Sequence, residues 1–115
     1  MKLLLDTHVF LWWANEPERL SETALAALTD PANQLLLSVA AAWEMQIKIQ
    51  VGKLRLNGSL KQLIAKQQRT NGIQLLPVEL SRVLALTPLP LHHRDPFDRL
   101  MIAQALDEGL TLVSA

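Results

Sequence analysis

Short apolar runs, each closed by an acid, a hydroxyl, a proline or a glycine, alternate along this chain with stretches of helical periodicity. Residues 2–5 are such a run ended by Asp6, the pattern of a buried parallel-type strand. A helix is predicted over residues 9–14, then a connector at 16–20 and a second helix over residues 22–29 with Ser21 as its N-cap. Residues 30–33 form a turn, and residues 34–37 read as the second strand, ended by Ser38. The next helix spans residues 39–50 and is stopped by Gly52. Residues 53–58 alternate in character, with a turn signal at Asn57-Gly58. Ser59 caps a polar helix that Gly72 ends, residues 73–76 give a short strand before Pro77, and residues 79–86 hold one or two helical turns. Thr87-Pro88-Leu89-Pro90-Leu91 is extended, because a residue before proline avoids the helical region. A helix from Pro96 to Glu108 follows, with Gly109 at its C′ position. Residues 110–114 form the last strand. This alternation predicts an α/β fold with a central parallel sheet covered on both faces. With no internal repeat, linker or low-complexity tract, residues 1–115 are expected to form one domain.

The chemistry-bearing residues sit at the joints of this pattern. Pro96 suits a first helical position, Asp95 is then the N-cap, and Asp98 falls at N3, near the positive end of the helix dipole. From Asp98, the positions three, four, seven and eight residues on are Met101, Ile102, Ala105 and Leu106, an apolar stripe expected to face the core. A carboxylate heading that stripe is costly unless paired, hydrogen-bonded or bound to metal. Asp6 lies at a strand end, where open α/β sheets place ligands, and the competing reading is that it only caps the next helix. Glu44 has Ala40, Ala41, Ile47 and Lys48 as its helix-surface neighbours. It is either half of a surface pair with Lys48, worth about 0.3–0.5 kcal/mol, or a carboxylate on an inner face that two alanines leave open to close approach.

Composition narrows the choice. Half the residues are hydrophobic, so the chain folds. Eleven basic and eleven acidic residues cancel, leaving no bulk signature of nucleic-acid binding. Setting aside Asp6, Glu44, Asp95 and Asp98 leaves 7 acids against 11 bases, which permits a mildly positive rim around an acidic pocket. Tyrosine is absent and aromatics are few, which argues against a platform of stacked bases. Cysteine is absent too, excluding disulfides and Cys-ligated zinc and fitting a reducing cytoplasm. Asp6 breaks the N-terminal apolar run too early for a secretory leader, and no run approaches the ~20 residues of a membrane span. A soluble, cytoplasmic protein is expected. His8, His92 and His93 lack the spacing of a helical zinc pair and suit loop or rim roles. No phosphate-binding G-x-x-x-x-G-K-[ST] loop and no G-x-S-x-G elbow occurs. Carboxylates without cysteine select hard cations such as Mg²⁺ or Mn²⁺, and Asp6, Glu44 and Asp98 are the three that context singles out. An aspartate-nucleophile phosphatase would need an acid two residues after Asp6, where His8 stands.

Three stretches taken together carry a family resemblance. They are Leu4-Leu5-Asp6-Thr7-His8-Val9-Phe10-Leu11-Trp12-Trp13, the run from Ser38-Val39 through Trp43-Glu44-Met45-Gln46-Ile47-Lys48 with Gly52-Lys53-Leu54, and residues 93–105. In order and spacing they resemble a PIN domain, nearest to the VapC-type toxins of bacterial toxin–antitoxin pairs, over nearly the whole chain. The resemblance implies a PIN-like three-layer α/β/α sandwich and a Mg²⁺- or Mn²⁺-dependent endoribonuclease. Carried over by motif, Asp6, Glu44 and Asp98 are the metal-binding acids and Asp95 an additional catalytic acid. Thr7 and Ser38 are hydroxyls that orient carboxylates or water. Arg94, Arg99, Lys48 and Lys53 are implied RNA phosphate contacts, with a solvated rim the safer reading for Lys53. The implied reaction is in-line attack of an activated water on an RNA phosphodiester, leaving 5′-phosphate and 3′-hydroxyl ends, with one or two ions. The implied partners are RNA, a cognate antitoxin and a second copy in a homodimer. The family usually carries a fourth acid just beyond the position matching Ala115, where this sequence stops. The alternative expectation is therefore a catalytically weak or inactive PIN scaffold that acts by binding an antitoxin or other protein.

Overall fold

The computed structural model describes residues 1–84 and 95–114. The extended segment expected at Thr87–Leu91, His92, His93 and the RNA-contact candidate Arg94 lie outside the described residues.

Strand β1 (Lys2–Leu5) leads into α1 (Thr7–Asn15), a 3₁₀ turn (Pro17–Arg19) and α2 (Glu22–Thr29). Strand β2 (Gln34–Ser38) leads directly into α3 (Val39–Gln50), followed by α4 (Leu60–Asn71), β3 (Gln74–Leu76) and α5 (Leu80–Leu84). Helix α6 (Pro96–Glu108) and strand β4 (Thr111–Val113) complete the described part. The strands form one sheet of order β3-β2-β1-β4, and every pairing is parallel. Leu3, Leu4 and Leu5 of β1 and Leu35, Leu36 and Leu37 of β2 are all buried, so successive side chains on both faces of the sheet are covered. Helices flank the sheet, and the architecture is the expected α/β/α sandwich.

Local chemistry sets the helix ends. Ser21 accepts from Ala24 N at 3.1 Å, and Ser59 and Gln62 close a reciprocal capping box at the head of α4. Asp95 accepts from Phe97 N at 2.8 Å and Asp98 N at 3.3 Å, with Pro96 next to it, as its N-cap role requires. Gly109 ends α6 at φ +66°, a left-handed conformation that costs a residue with a Cβ.

The inner face of α6 differs from the expected stripe. Leu106 is 74% exposed, and Gln104 is completely buried in its place. Gln104 Nε2 donates to the Pro77 carbonyl at 3.1 Å, so a polar contact between α6 and the end of β3 occupies that direction. An ion pair between Arg82 and Asp107 ties α5 to α6 as well.

Candidate active site

The acids collect at the carboxyl ends of β1 and β2 because three chain segments turn from strand or loop into helix there. Asp6 is the first residue past β1, its backbone N–H held by the Val113 carbonyl of β4 at 3.0 Å. Its Oδ1 accepts from Val9 N at 2.8 Å, so Asp6 does cap α1. Capping uses one carboxylate oxygen and is compatible with a second role, because Asp6 also lines a small cavity. That cavity, about 230 Å³, is bounded by Asp6 and Asp98 with Met101, Ile102, Leu112 and Ser114.

Glu44 departs furthest from the surface-pair reading. It is only 6% exposed, on the buried face of α3 with Ala40, Ala41 and Met45. Oε1 accepts a 2.6 Å hydrogen bond from the buried Thr7 hydroxyl, 37 residues earlier in the chain. Oε2 lies 2.9 Å from Lys48 Nζ. The Glu44–Lys48 pair therefore exists, but as the outer half of an arrangement whose inner half is Thr7. A buried carboxylate needs such partners. Thr7 thus has the orienting contact assigned to it, and its neighbour Asp6 is joined to α3 through it.

Asp98 is an exposed residue at the head of α6, not the buried carboxylate its apolar stripe had suggested. Partial burial of its carboxyl, then the like charges of Asp95, Glu44 and Asp6, push its pKa above the ordinary value, with His8 acting in the opposite direction. Asp6 and Asp98 line one cavity, and Thr7, next to Asp6, bonds Glu44, so acids carried by β1–α1, α3 and α6 are linked at one end of the sheet. Trp43 and Phe97, immediately before Glu44 and Asp98, meet edge to face at 5.3 Å between ring centroids. This contact, of a kind worth about 0.5–1.5 kcal/mol, fixes the ends of α3 and α6 that carry the two acids.

Three more of the expected site residues are described. Ser38 is fully buried, and its Oγ accepts from Ala40 N at 3.1 Å, making it the N-cap of α3. Its oxygen therefore starts α3, and this bond uses the acceptor side of the hydroxyl and not its proton. Lys48 pairs with Glu44 at 2.9 Å, and Arg99 is partly exposed within α6. The exposed cations lie elsewhere. Arg19, Lys53 and Arg55 line a groove of about 690 Å³ together with His8, Trp12 and Lys48. Periodicity gave no signal for this groove, because its lining comes from α1, the 3₁₀ turn and the irregular stretch after Gly52.

The donor set fits a hard divalent cation. It is all carboxylate oxygen, the like charges of Asp95, Glu44 and Asp6 raise the cost of ionising Asp98, and a cation relieves that repulsion. Among the described residues, no group of three His, Cys, Asp or Glu side chains is drawn together as a ready ligand shell.

A family model described as PIN domain matches residues 3–115. Ribonuclease VapC22 from Mycobacterium tuberculosis (strain ATCC 25618 / H37Rv) is 30% identical over 113 residues, covering 97% of this chain and 85% of that protein. Among solved structures, VapBC2 from Rickettsia felis bound to a DNA fragment from its promoter matches with a TM-score of 0.67 and 17% identity, over 99% of this chain and 87% of that one. At that identity the likeness is one of fold. Divalent-metal dependence is a general property of ribonucleases with this domain. Every element described above falls within or at the edge of the matched residues, and the chain belongs to the PIN domain family.

Proposed function

We propose that this chain is the ribonuclease toxin of a VapBC-type toxin–antitoxin pair, cleaving RNA with Mg²⁺ or Mn²⁺ held by Asp6, Glu44 and Asp98. The observation that carries this reading is that Asp6 and Asp98 line one cavity while Thr7, the neighbour of Asp6, bonds Glu44, in a chain whose residues outside these three acids and Asp95 carry 7 acids against 11 bases. Like charges so placed oppose folding, and a site for a cation accounts for them. When bound, a divalent ion stabilises charge on a phosphoryl oxygen and lowers the pKa of a water. The chain's own residues prepare the rest. Thr7 and Lys48 hold the two oxygens of Glu44 in place, and Val9 N and the β4 carbonyl of Val113 anchor Asp6. Asp95 holds the first turn of α6 and so sets the position of Asp98. In this reading a cognate antitoxin restrains the toxin, and the toxin pairs with a second copy of itself. No helix among the described residues is long and apolar enough to cross a membrane.

A second reading, a binding scaffold with little or no activity, is favoured by one observation. Glu44 already has partners on both oxygens, and the described acids are not drawn into a shell. One experiment separates the two. The purified chain is incubated with structured and unstructured RNA, with Mn²⁺ or with EDTA, beside Asp6→Asn. Asparagine caps a helix as well as aspartate does, so the variant keeps its fold while losing the charge. Cleavage that requires both Mn²⁺ and Asp6 supports the nuclease. Cleavage unchanged in the variant refutes the site, and its absence throughout supports the scaffold.

A further inference from the structure

Resting on the nuclease reading, we propose that the groove between α1 and the segment after Gly52 seats single-stranded RNA. In this arrangement an unpaired base stacks on Trp12, and flanking phosphates meet Lys53 and Arg55. Three observations converge on this. The first is charge. Among the described residues, Arg19, Lys48, Lys53 and Arg55 line the groove against Glu16 as its one acid, in a chain whose formal net charge is zero. Glu16 is itself taken up by Arg19 at 3.1 Å, and Lys48 by Glu44, which leaves Lys53 and Arg55 facing the groove as exposed cations. An anionic chain is the occupant such a lining favours.

The second observation is the ring. Trp12 is half-buried, and the guanidinium of Arg19 lies over its face, 4.5 Å from the centroid. His8 stands on the same side of α1, its ring 6.0 Å from that of Trp12 and tilted by 58°. Arg19 and its ion-pair partner Glu16 are both exposed, so a base can take the place of the guanidinium on the ring. A flat base makes the same kind of contact with the indole face. Few aromatics argue against a platform for several bases, and one tryptophan seats one base. Bases of a duplex are already stacked on one another, so this seat selects an unpaired strand.

The third observation is continuity with the acids. His8 follows Asp6 by two residues and acts electrostatically on Asp98, and Lys48 both lines the groove and touches Glu44. A strand in the groove therefore runs up to the carboxylates, and the seat on Trp12 sets which phosphate reaches them.

The test uses Asp6→Asn, so that RNA survives, in EDTA. Binding of a fluorescein-labelled 12-nucleotide oligo(A) RNA is followed by anisotropy across a salt series, beside the same strand in a duplex and a poly-glutamate peptide. Trp12→Ala added to this background is expected to weaken single-strand binding about 5- to 150-fold, the range for one lost base stack, without changing the salt slope. Lys53→Ser with Arg55→Ser is expected to make the slope shallower by about 1.4, from two lost phosphate contacts on a single strand. If Trp12→Ala fails to fold, Trp12→Phe serves, in which the indole quenching caused by oligo(A) is lost while Trp13 and Trp43 remain. Binding indifferent to Trp12, equal affinity for duplex, or tighter binding of the acidic peptide overturns the proposal. RNA binding that depends on Trp12 in a chain that cleaves nothing would support the groove and refute the nuclease; cleavage that needs Asp6 but ignores Trp12 would do the reverse.

Discussion

Replacing Thr7 by valine isolates the contact that joins the first acidic segment to the second. Valine has nearly the shape of threonine, so the substitution removes a hydroxyl and little volume. The lost bond is 2.6 Å long, between a threonine 3% exposed and a carboxylate 6% exposed. Hydrogen bonds to charged groups contribute about 1.5–3 kcal/mol, and water cannot replace this one at such burial. For a domain of this size a loss of about 2 kcal/mol lowers Tm by roughly 8 °C. Urea unfolding in EDTA, followed by tryptophan fluorescence, gives the number directly. The decisive comparison repeats the substitution in a Glu44→Gln background. There the acceptor is neutral, and the loss is expected to fall to about 0.5–1.5 kcal/mol. An equal loss in both backgrounds would show that the hydroxyl's contribution does not depend on the Glu44 charge, and the argument that it holds Glu44 for the site would fail.

Asp95→Ala removes the cap of α6 and is expected to cost about 1 kcal/mol by calorimetry; Asp95→Asn keeps the cap, so a fall in cleavage by that variant with Tm unchanged would mark a role for the charge itself. Asp98 has a raised pKa, so the folded chain holds its proton more tightly than the unfolded chain. In EDTA its contribution to stability is therefore lost as pH rises from its ordinary value of 3.8 through the raised one. The stability of Asp98→Asn relative to the unsubstituted chain should climb over that window, and a flat difference would contradict the crowding of acids. Excess Mn²⁺ should reverse the sign at neutral pH, because an ion that binds only the folded state stabilises the chain that keeps the carboxylate.

Much of the fold is legible from neighbouring residues alone. The all-apolar run Leu3-Leu4-Leu5 requires a sheet covered on both faces, and Ser21, Ser59, Asp95-Pro96 and Gly109 mark helix ends through bonds that reach only a few positions. Order in the sheet and the site are another matter. Whether Glu44 formed a surface pair or an inner carboxylate depended on Thr7, a residue 37 positions away that only the packing of α1 on α3 brings to 2.6 Å. The same holds for α6, where helical spacing favoured burying Leu106 and the carbonyl of Pro77 instead drew Gln104 inward. Trp12, Lys53 and Arg55 share no periodicity and meet only as walls of one groove. Caps and periodicity are set by bonds and packing within a turn or two of chain, which the sequence alone determined. Convergence of charges is set by distances across the folded molecule, which only the tertiary structure decided.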